Sequence, residues 1–360
     1  MKYIKLKKIA TYPTGKLNSN AAEKDGIYPF FTCSHDIYRI NNYAYDGEYV
    51  LLGGNNATGD FPIFYYNGKF NAYQRTYLIQ PIDTNQFDTR YLFYSIGLKL
   101  KLMQSNAAGT ATRFLTQPIL DNINIEYRPL PIQQKIASIL SAYDNLIQNY
   151  KKQIEALQTG TCELYKEWFV RFRFPGYQTT KFENGIPEGW KVVLASELGE
   201  FVRGKNITAE EMQEGMIPVI SAGIEPSGFH NQSNVKGVSL TISNSGANAG
   251  YLQINYSDIW AADCSYCNSA KHIYFYYELL NNMRVVLFNL QKGAAQPHVY
   301  AKDINKMKIL LPSTELIGTA NKKIKLMHEK IYSLQQQITN LTQQRDLLLP
   351  RLMSSKLEVK

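Results

Sequence analysis

Two long stretches of the chain repeat apolar residues at alternating steps of three and four. In the first, from Pro131 to about Phe174, Ile132, Ile136, Ile139, Leu140, Tyr143, Ile147, Tyr150, Ile154, Leu157, Leu164 and Trp168 share one stripe, with Thr161 as its polar member. In the second, Ile317, Ala320, Ile324, Met327, Ile331, Leu334, Ile338, Leu341 and Leu348 keep the same spacing, and Arg345 interrupts it. A turn of 3.6 residues keeps such steps on one face, so the spacing predicts two long helices of coiled-coil type. Pro131 suits a first helical turn and Pro175-Gly176 a stop; Ser313 is the expected N-cap of the second helix and Pro350 its stop. At about 1.5 Å per residue, each helix would run roughly 55 to 65 Å. Alone, either would leave a stripe of Ile and Leu in water, so the two stripes are expected to pack on each other.

The segments before the helices follow another pattern. Residues 1–129 and 176–311 are rich in Tyr, Phe, Asn and Gly, with short β-like runs at Tyr49–Leu52, Thr76–Ile79, Val238–Ile242 and His272–Tyr277. Each opens on a short apolar phrase leading to a Gly-Lys pair, Gly15-Lys16 and Gly204-Lys205. Each carries a Gly/Asn-rich loop after a β run, Gly53 to Gly59 and Asn244 to Gly250. Each closes alike, with Gly109 to Arg113 before Pro131 and Gly293 to Pro297 before Pro312. Pro131 and Pro312 lie 181 residues apart, about half the chain, and the sequence reads as an internal duplication of globule plus long helix. The expected class is α+β: two similar mixed α/β globules, residues 1–129 and 176–311, separated by long helices over 130–175 and 312–360.

Composition narrows the possibilities. At 360 residues, with 44% hydrophobic and 19% charged, the chain has enough apolar material for more than one core and is not a disordered polyelectrolyte. No run of about 18 apolar residues marks a membrane span, and the lysines of the opening MKYIKLKKIA are not followed by the apolar stretch of a secretory signal, so a cytoplasmic protein is expected. Its four cysteines, Cys33, Cys162, Cys264 and Cys267, are too few and scattered to staple a chain of this size, and reduced thiols are the expected state. A net charge of +9 permits a polyanionic partner without demanding one.

Two related globules spaced by a rigid helical pair suit an extended ligand gripped at two places, and double-stranded DNA is the obvious candidate. DNA-reading modules on a spacer take half-sites roughly one helical turn, about 34 Å, apart. The globules share a plan but differ in sequence, so a bipartite, asymmetric target follows. Arg, Lys, Asn and Gln read base edges, and Gly-rich loops approach phosphates closely. In the first globule Lys16, Asn55, Asn56, Lys69, Gln74, Arg75 and Arg113 fit that role; in the second, Arg203, Lys205, Asn244, Asn248, Lys271, Gln296 and His298 do. Each alone reads sooner as an ordinary surface or turn residue than as a base reader, and only placement in matching loops of both copies raises them. The competing reading is a coiled-coil protein–protein adaptor whose Gly/Asn loops are merely turns.

Leu130-Pro131-Ile132-Gln133-Gln134-Lys135-Ile136-Ala137-Ser138-Ile139-Leu140, followed by Asp144 and Ile147, resembles the central conserved region of type I restriction-modification specificity subunits. So do Leu164 to Phe172 running into Phe174-Pro175-Gly176, Gly185-Ile186-Pro187-Glu188-Gly189-Trp190, and the tail Arg345 to Ser355. The second helix opens Pro312-Ser313-Thr314-Glu315-Leu316, without the Gln-Gln-Lys of the first, which bears on whether both ends meet partners equally. The resemblance implies a non-catalytic subunit in which two target recognition domains read the halves of a split DNA site. It implies an antiparallel coiled coil that sets the spacing and docks two adenine-N6 methyltransferase subunits, joined by motor-nuclease subunits. Ile132, Ile136, Leu140, Tyr143, Ile147, Ile154, Leu157, Trp168, Ile324, Met327, Ile331, Leu334, Ile338 and Leu341 would form the coil and its docking surface. S-adenosylmethionine, ATP and magnesium would bind the partners and not this chain.

The motifs agree with that division of labour. No G-x-x-x-x-G-K-[ST] or G-x-G-x-x-G loop occurs, no Pro-Pro pair of an amino-methyltransferase motif, and the only Glu-x-Lys is Glu358-Val359-Lys360, so no catalytic residue is assigned. Cys264-Ser265-Tyr266-Cys267 has metal spacing but no second pair; His272 and His298 could complete a zinc site only if folding gathered them, and no metal is expected. Cys33-Ser34-His35 reads as a loop cysteine sooner than an activated thiol. The aromatic cluster Trp168-Phe169, Phe172 and Phe174 is either an interface or packing beneath its own globule.

Overall fold

The computed structural model describes residues 2–56, 59–106, 114–293, 296–354 and 356–357. Two compact units emerge, Met1–Gln148 with Ile338–Lys360, and Asn149–Gln337. Each is a globule together with part of both long helices, Leu130–Tyr165 and Thr314–Met353, so both helices pass from one unit into the other. Among the described residues no helix is long and apolar enough to cross a membrane.

In unit 1 six strands run in the spatial order Ala10–Thr11, Thr76–Pro81, Tyr45–Gly53, Ile63–Ala72, Tyr28–Phe31 and Tyr38–Ile40. Only Tyr28–Phe31 and Ile63–Ala72 pair in parallel. On a flat strand Phe64 and Phe70 would sit about 20 Å apart. Yet their rings lie 5.5 and 5.7 Å from that of Phe31, so the sheet is rolled around this residue. The bend falls where Gly47 and Gly68 face each other across the ladder, both at positive φ (131° and 140°), a region that side chains with a Cβ avoid.

Helix Thr89–Asn106 covers the sheet of unit 1, burying Tyr91, Leu92 and Ile96 against Leu6, Val50, Leu52 and Ile79. Ile136 and Leu140 of the first long helix and Leu352 and Met353 of the second enter the same core. Those last two residues carry the second helix past Pro350, where the sequence predicted its end. Proline removes one N–H bond, but in a final turn the loss is small beside the burial of Leu352 and Met353.

Unit 2 has a four-stranded sheet, Val202–Arg203, Cys264–Cys267, Ser239–Ser243 and Leu252–Asn255, and a three-stranded one, Gly228–His230, Ile217–Ile220 and Trp260–Ala261. The run His272–Tyr277, read as β-like, instead opens helix Ile273–Asn282. Tyr274, Phe275, Tyr276, Leu279 and Leu280 are all buried, so this helix is covered on most of its surface. Packing decides over the strand preference of its aromatics.

The aromatic cluster at the end of the first long helix packs beneath its own globule. The helix closes in a π turn, Lys166–Val170, with Trp168 and Phe169 buried. The Phe169 ring lies 5.0 Å from Phe275, and Phe172 and Phe174 lie 5.3 and 5.5 Å from Trp190. Trp168 thus belongs to a core that the second globule shares with Ile317, Ala320 and Ile324 of the second long helix.

The helices run antiparallel within each unit. In unit 1 Asp144 pairs with Arg345 at 2.7 Å, while Ile136 and Leu140 meet Leu348 and Leu352; in unit 2 a Cβ on Gly160 would lie 3.8 Å from Met327 Sδ, and Trp168 and Phe169 share a core with Ile317 and Ile324. Ile136, Leu140, Ile147, Ile324, Ile331 and Leu334 are buried, whereas Ile132, Tyr143, Ile154, Leu157, Met327, Ile338 and Leu341 are half-buried, as in a two-stranded pair with no third layer.

A polar contact locks helix to globule in both units. Tyr94 donates to Asp144 at 2.5 Å in unit 1; in unit 2 Glu278 meets His328 at 3.2 Å, and His328 shares a 2.8 Å hydrogen bond with Tyr256. Tyr94 and Glu278, Asp144 and His328, and the two polar seam residues Thr161 and Arg345 are each 184 positions apart, so the duplication extends to the lock. Arg345 reaches across to Asp144, whereas Thr161 turns its hydroxyl back onto the Gln158 carbonyl at 2.9 Å.

Candidate nucleic-acid interface

The Tyr73-Gln74-Arg75 turn of unit 1 leads into strand Thr76–Pro81, whose Thr76 faces Gly53 of strand Tyr45–Gly53 across the ladder. There Gly54 donates its N–H to the Arg75 carbonyl at 2.8 Å. The loop carrying Lys16 is fastened beside it: Gly15 donates to the Thr76 carbonyl at 3.0 Å and Gln74 donates to Leu17 at 2.8 Å. A Cβ on Gly15 would come within 2.3 Å of the Ala72 oxygen, and glycine is what lets the loop approach so closely. Leu115 donates to the Gly54 carbonyl at 2.9 Å, and Asn55 forms a ladder bridge with Phe114. Lys16, Asn55, Gln74 and Arg75 are thereby gathered at one rim, with Lys16, Gln74, Arg75 and the Phe114 ring exposed.

The second globule repeats the central bonds of this arrangement. Gly204 donates to the Cys264 carbonyl at 2.8 Å, Lys205 to Ala261 at 2.9 Å, and a Cβ on Gly204 would lie 2.4 Å from the Ala262 oxygen. Asn244 donates to the Asp263 carbonyl at 3.3 Å, Val299 donates to Asn244 at 2.9 Å, and Ser245 bridges His298. Gly54 therefore corresponds to Asn244, Asn55 to Ser245, Arg75 to Asp263 and Phe114 to His298. This rim carries exposed Arg203 and Lys205, and a Gly246 bond to the Pro297 carbonyl at 3.1 Å brings Gln296 alongside. The His298 ring stacks on Tyr300 at 6.1 Å, and the Lys302 ammonium lies 5.6 Å from the same tyrosine.

The remaining residues singled out in the sequence lie elsewhere. Asn244 is buried and accepts from the Ser265 hydroxyl at 2.7 Å, so its amide braces the loop from within. Asn56 and Asn248 are half-buried in the two loops. Lys69 faces Asp46 across the ladder with its ammonium 4.5 Å from the centre of the Tyr43 ring. Lys271 follows strand Cys264–Cys267, which starts at the rim and runs away from it; just beyond, Phe275 is held by Asn321 of the second long helix. Arg113, like Glu358 to Lys360, lies outside the described residues. Phe114, Ser245, Asp263 and Tyr300 were missed. The turn before Cys264 is one residue shorter than the turn before Thr76, which hides the correspondence of Asp263 with Arg75.

Cys264 and Cys267 sit in cores, whereas Cys33 and Cys162 are half-buried. Cys264 and Cys267, three apart on one strand, point to opposite faces and enter different clusters, and burial pushes the Cys264 thiol up to about 12. His272 lies beside Gly318 and His298 at the rim, away from each other. Burial likewise raises Cys33, whose sulfur lies 3.5 Å from the Arg75 carbonyl, while His35 pairs with Asp60 at 3.1 Å. Among the described residues no three His, Cys, Asp or Glu side chains are gathered to hold a metal.

The family model for the type I restriction modification DNA specificity domain matches residues 1–159 and 187–348. The chain is similar to the type I restriction enzyme EcoDI specificity subunit of Escherichia coli, 32% identical over 52% of this chain and 46% of that protein. It is also similar to the MjaIX specificity subunit of Methanocaldococcus jannaschii, 27% identical over 75% of this chain and 69% of that one. The match thus spans about half the length of the E. coli relative. The crystal structure of a type I restriction-modification S subunit from M. genitalium shares the fold, with a TM-score of 0.68 at 18% identity, covering 98% of this chain and 95% of that one.

Proposed function

Because the chain belongs to the family of type I restriction-modification DNA specificity domains, we propose that it is the DNA sequence-specificity subunit of such a complex, each globule reading one half of a bipartite, asymmetric site. The observation that carries this reading is the doubled rim: equivalent backbone bonds hold a Gly-Lys loop, the turn before a strand and a Gly/Asn loop together in both units, with different side chains mounted on each. Cations and amides at such rims suit phosphate positioning and base-edge contact. The adaptor reading gives way, since the family match covers the globules and not the helices alone.

In this reading the chain is non-catalytic. Its coil sets the half-site spacing and docks two adenine-N6 methyltransferase subunits, which bring S-adenosylmethionine; motor-nuclease subunits bring ATP and magnesium. The complex works on double-stranded DNA in the cytoplasm. Expressing the chain with its methyltransferase subunit in a methylation-free host, and sequencing the genome for N6-methyladenine, tests the reading. A split, asymmetric motif that vanishes when this chain is omitted is the expected result. No methylation from an assembled, donor-supplied complex would overturn it.

A further inference from the structure

The two rims differ in chemistry at one equivalent pair. Arg75 and Asp263 each directly precede the neighbour of a central strand, Tyr45–Gly53 in unit 1 and Ser239–Ser243 in unit 2. Each gives its carbonyl to the residue just past that strand, Gly54 at 2.8 Å and Asn244 at 3.3 Å. Each is followed by the residue that accepts from the glycine of the Gly-Lys loop, Thr76 from Gly15 at 3.0 Å and Cys264 from Gly204 at 2.8 Å. The backbone therefore mounts both side chains on the same spot of the same scaffold. One is an exposed guanidinium; the other is a half-buried carboxylate that accepts a hydrogen bond from the Ser245 hydroxyl.

On a surface that meets a polyanion these groups have opposite requirements. A guanidinium is satisfied by phosphate or by the paired acceptors of a guanine edge. A carboxylate is repelled by phosphate and finds a partner only in a donor, and in the major groove the donors are the exocyclic amines, cytosine N4 and adenine N6. Ser245 takes one of the several lone-pair positions of Asp263 and holds the group at the rim. Each base pair carries its one major-groove amine on the adenine or the cytosine, so a carboxylate kept there penalises guanine or thymine at the position it faces, which makes it a discriminator by rejection as well as attraction.

Resting on the DNA-reading function above, we propose that Arg75 and Asp263 are specificity-determining residues of opposite sign. Arg75 selects a guanine in the half-site read by unit 1, and Asp263 selects a base presenting an exocyclic amine in the half-site read by unit 2.

Methylation mapping of the assembled complex carrying Arg75→Ala, Asp263→Asn or Ser245→Ala tests this. With Arg75→Ala, discrimination for guanine at one position of one half-site should fall roughly 5- to 150-fold while the other half-site is unchanged. With Asp263→Asn, one position of the other half-site should change, a cytosine giving way to adenine if N4 is the partner, or guanine and thymine gaining entry if N6 is. Both half-sites unchanged in either variant, or both altered by one, would overturn the proposal. It would equally fall if Ser245→Ala altered that position while Asp263→Asn left it unchanged, since Ser245 and not Asp263 would then be the selecting group. Arg75 is exposed, so its arm does not depend on packing, and thermal unfolding of each complex identifies a variant that has lost its fold. Absence of any split motif from the wild-type complex would sink the DNA-reading function itself, and this assignment with it.

Discussion

Gly15 and Gly204 press their loops against the neighbouring turn so closely that an added Cβ would meet a backbone carbonyl at 2.3 or 2.4 Å. Real Cβ atoms do not approach so near, so alanine at either position must push Lys16 or Lys205 and its loop off the rim. Gly204→Ala should lower stability by about 1–3 kcal/mol and blur recognition of the half-site read by unit 2, leaving the other intact. Urea unfolding and methylation mapping check the two effects, and an unaltered motif in a displaced loop would show that Lys205 takes no part in reading. The same backbone logic explains why Asn244, chosen from its loop as a contact, became a brace. Its N–H and carbonyl are both used in the scaffold, which turns the side chain inward toward Ser265.

At the scale of elements, each globule depends on its polar lock to the long helices. Glu278 and His328 are both almost fully buried, so Glu278→Ala leaves a buried imidazole facing a cavity and should cost about 3–5 kcal/mol, with Glu278→Gln restoring part of it through a hydrogen bond. The Asp144–Arg345 pair is more than a quarter exposed, and Arg345→Ala should cost nearer 1 kcal/mol. Chemical unfolding of the variants checks the ordering; equal losses would mean that burial does not set the strength of the lock. Arg345 also acts on Asp346. Burial pushes that carboxyl up, but the hydrogen bond and charge of Arg345, with Lys101, outweigh it and hold it below its ordinary value. Stabilisation from a depressed carboxyl is present above the unfolded value near 4 and is lost as pH falls through the folded one. The gap between wild type and Arg345→Ala should therefore close in strong acid, and a gap that persisted below about pH 2 would assign Arg345 a role in packing alone.

For the whole molecule, duplication means that the two readers should be separable. Replacing residues 187–311 with the second globule of a relative should exchange one half of the recognised motif and spare the other. Methylation mapping of the chimera checks this, and a change in both halves would count against two independent readers. Because cations at the rims displace counterions from DNA, affinity should also weaken steeply with salt.

What the sequence by itself determined is what repeats along it. Helical stripes, the Gly-Lys and Gly/Asn phrases and the spacing of 181 residues between Pro131 and Pro312 are local or periodic signals, and they defined two globules, two long helices and the residues Lys16, Asn55, Gln74, Arg75, Arg203, Lys205, Gln296 and His298 that the rims gather. Only the tertiary structure decided what depends on neighbours remote in the chain. It made His272–Tyr277 part of a helix because nearly every side of that segment is covered, and it carried the second long helix past Pro350 because Leu352 and Met353 enter a core. It drew Trp168 under the second globule, left Lys69 and Lys271 away from the rims, and set Asp263 where the first globule has Arg75. Residue type and spacing are written in the chain, but the partner across a ladder or turn is chosen by the fold, and here that partner separates a residue turned into its loop from one presented at the rim.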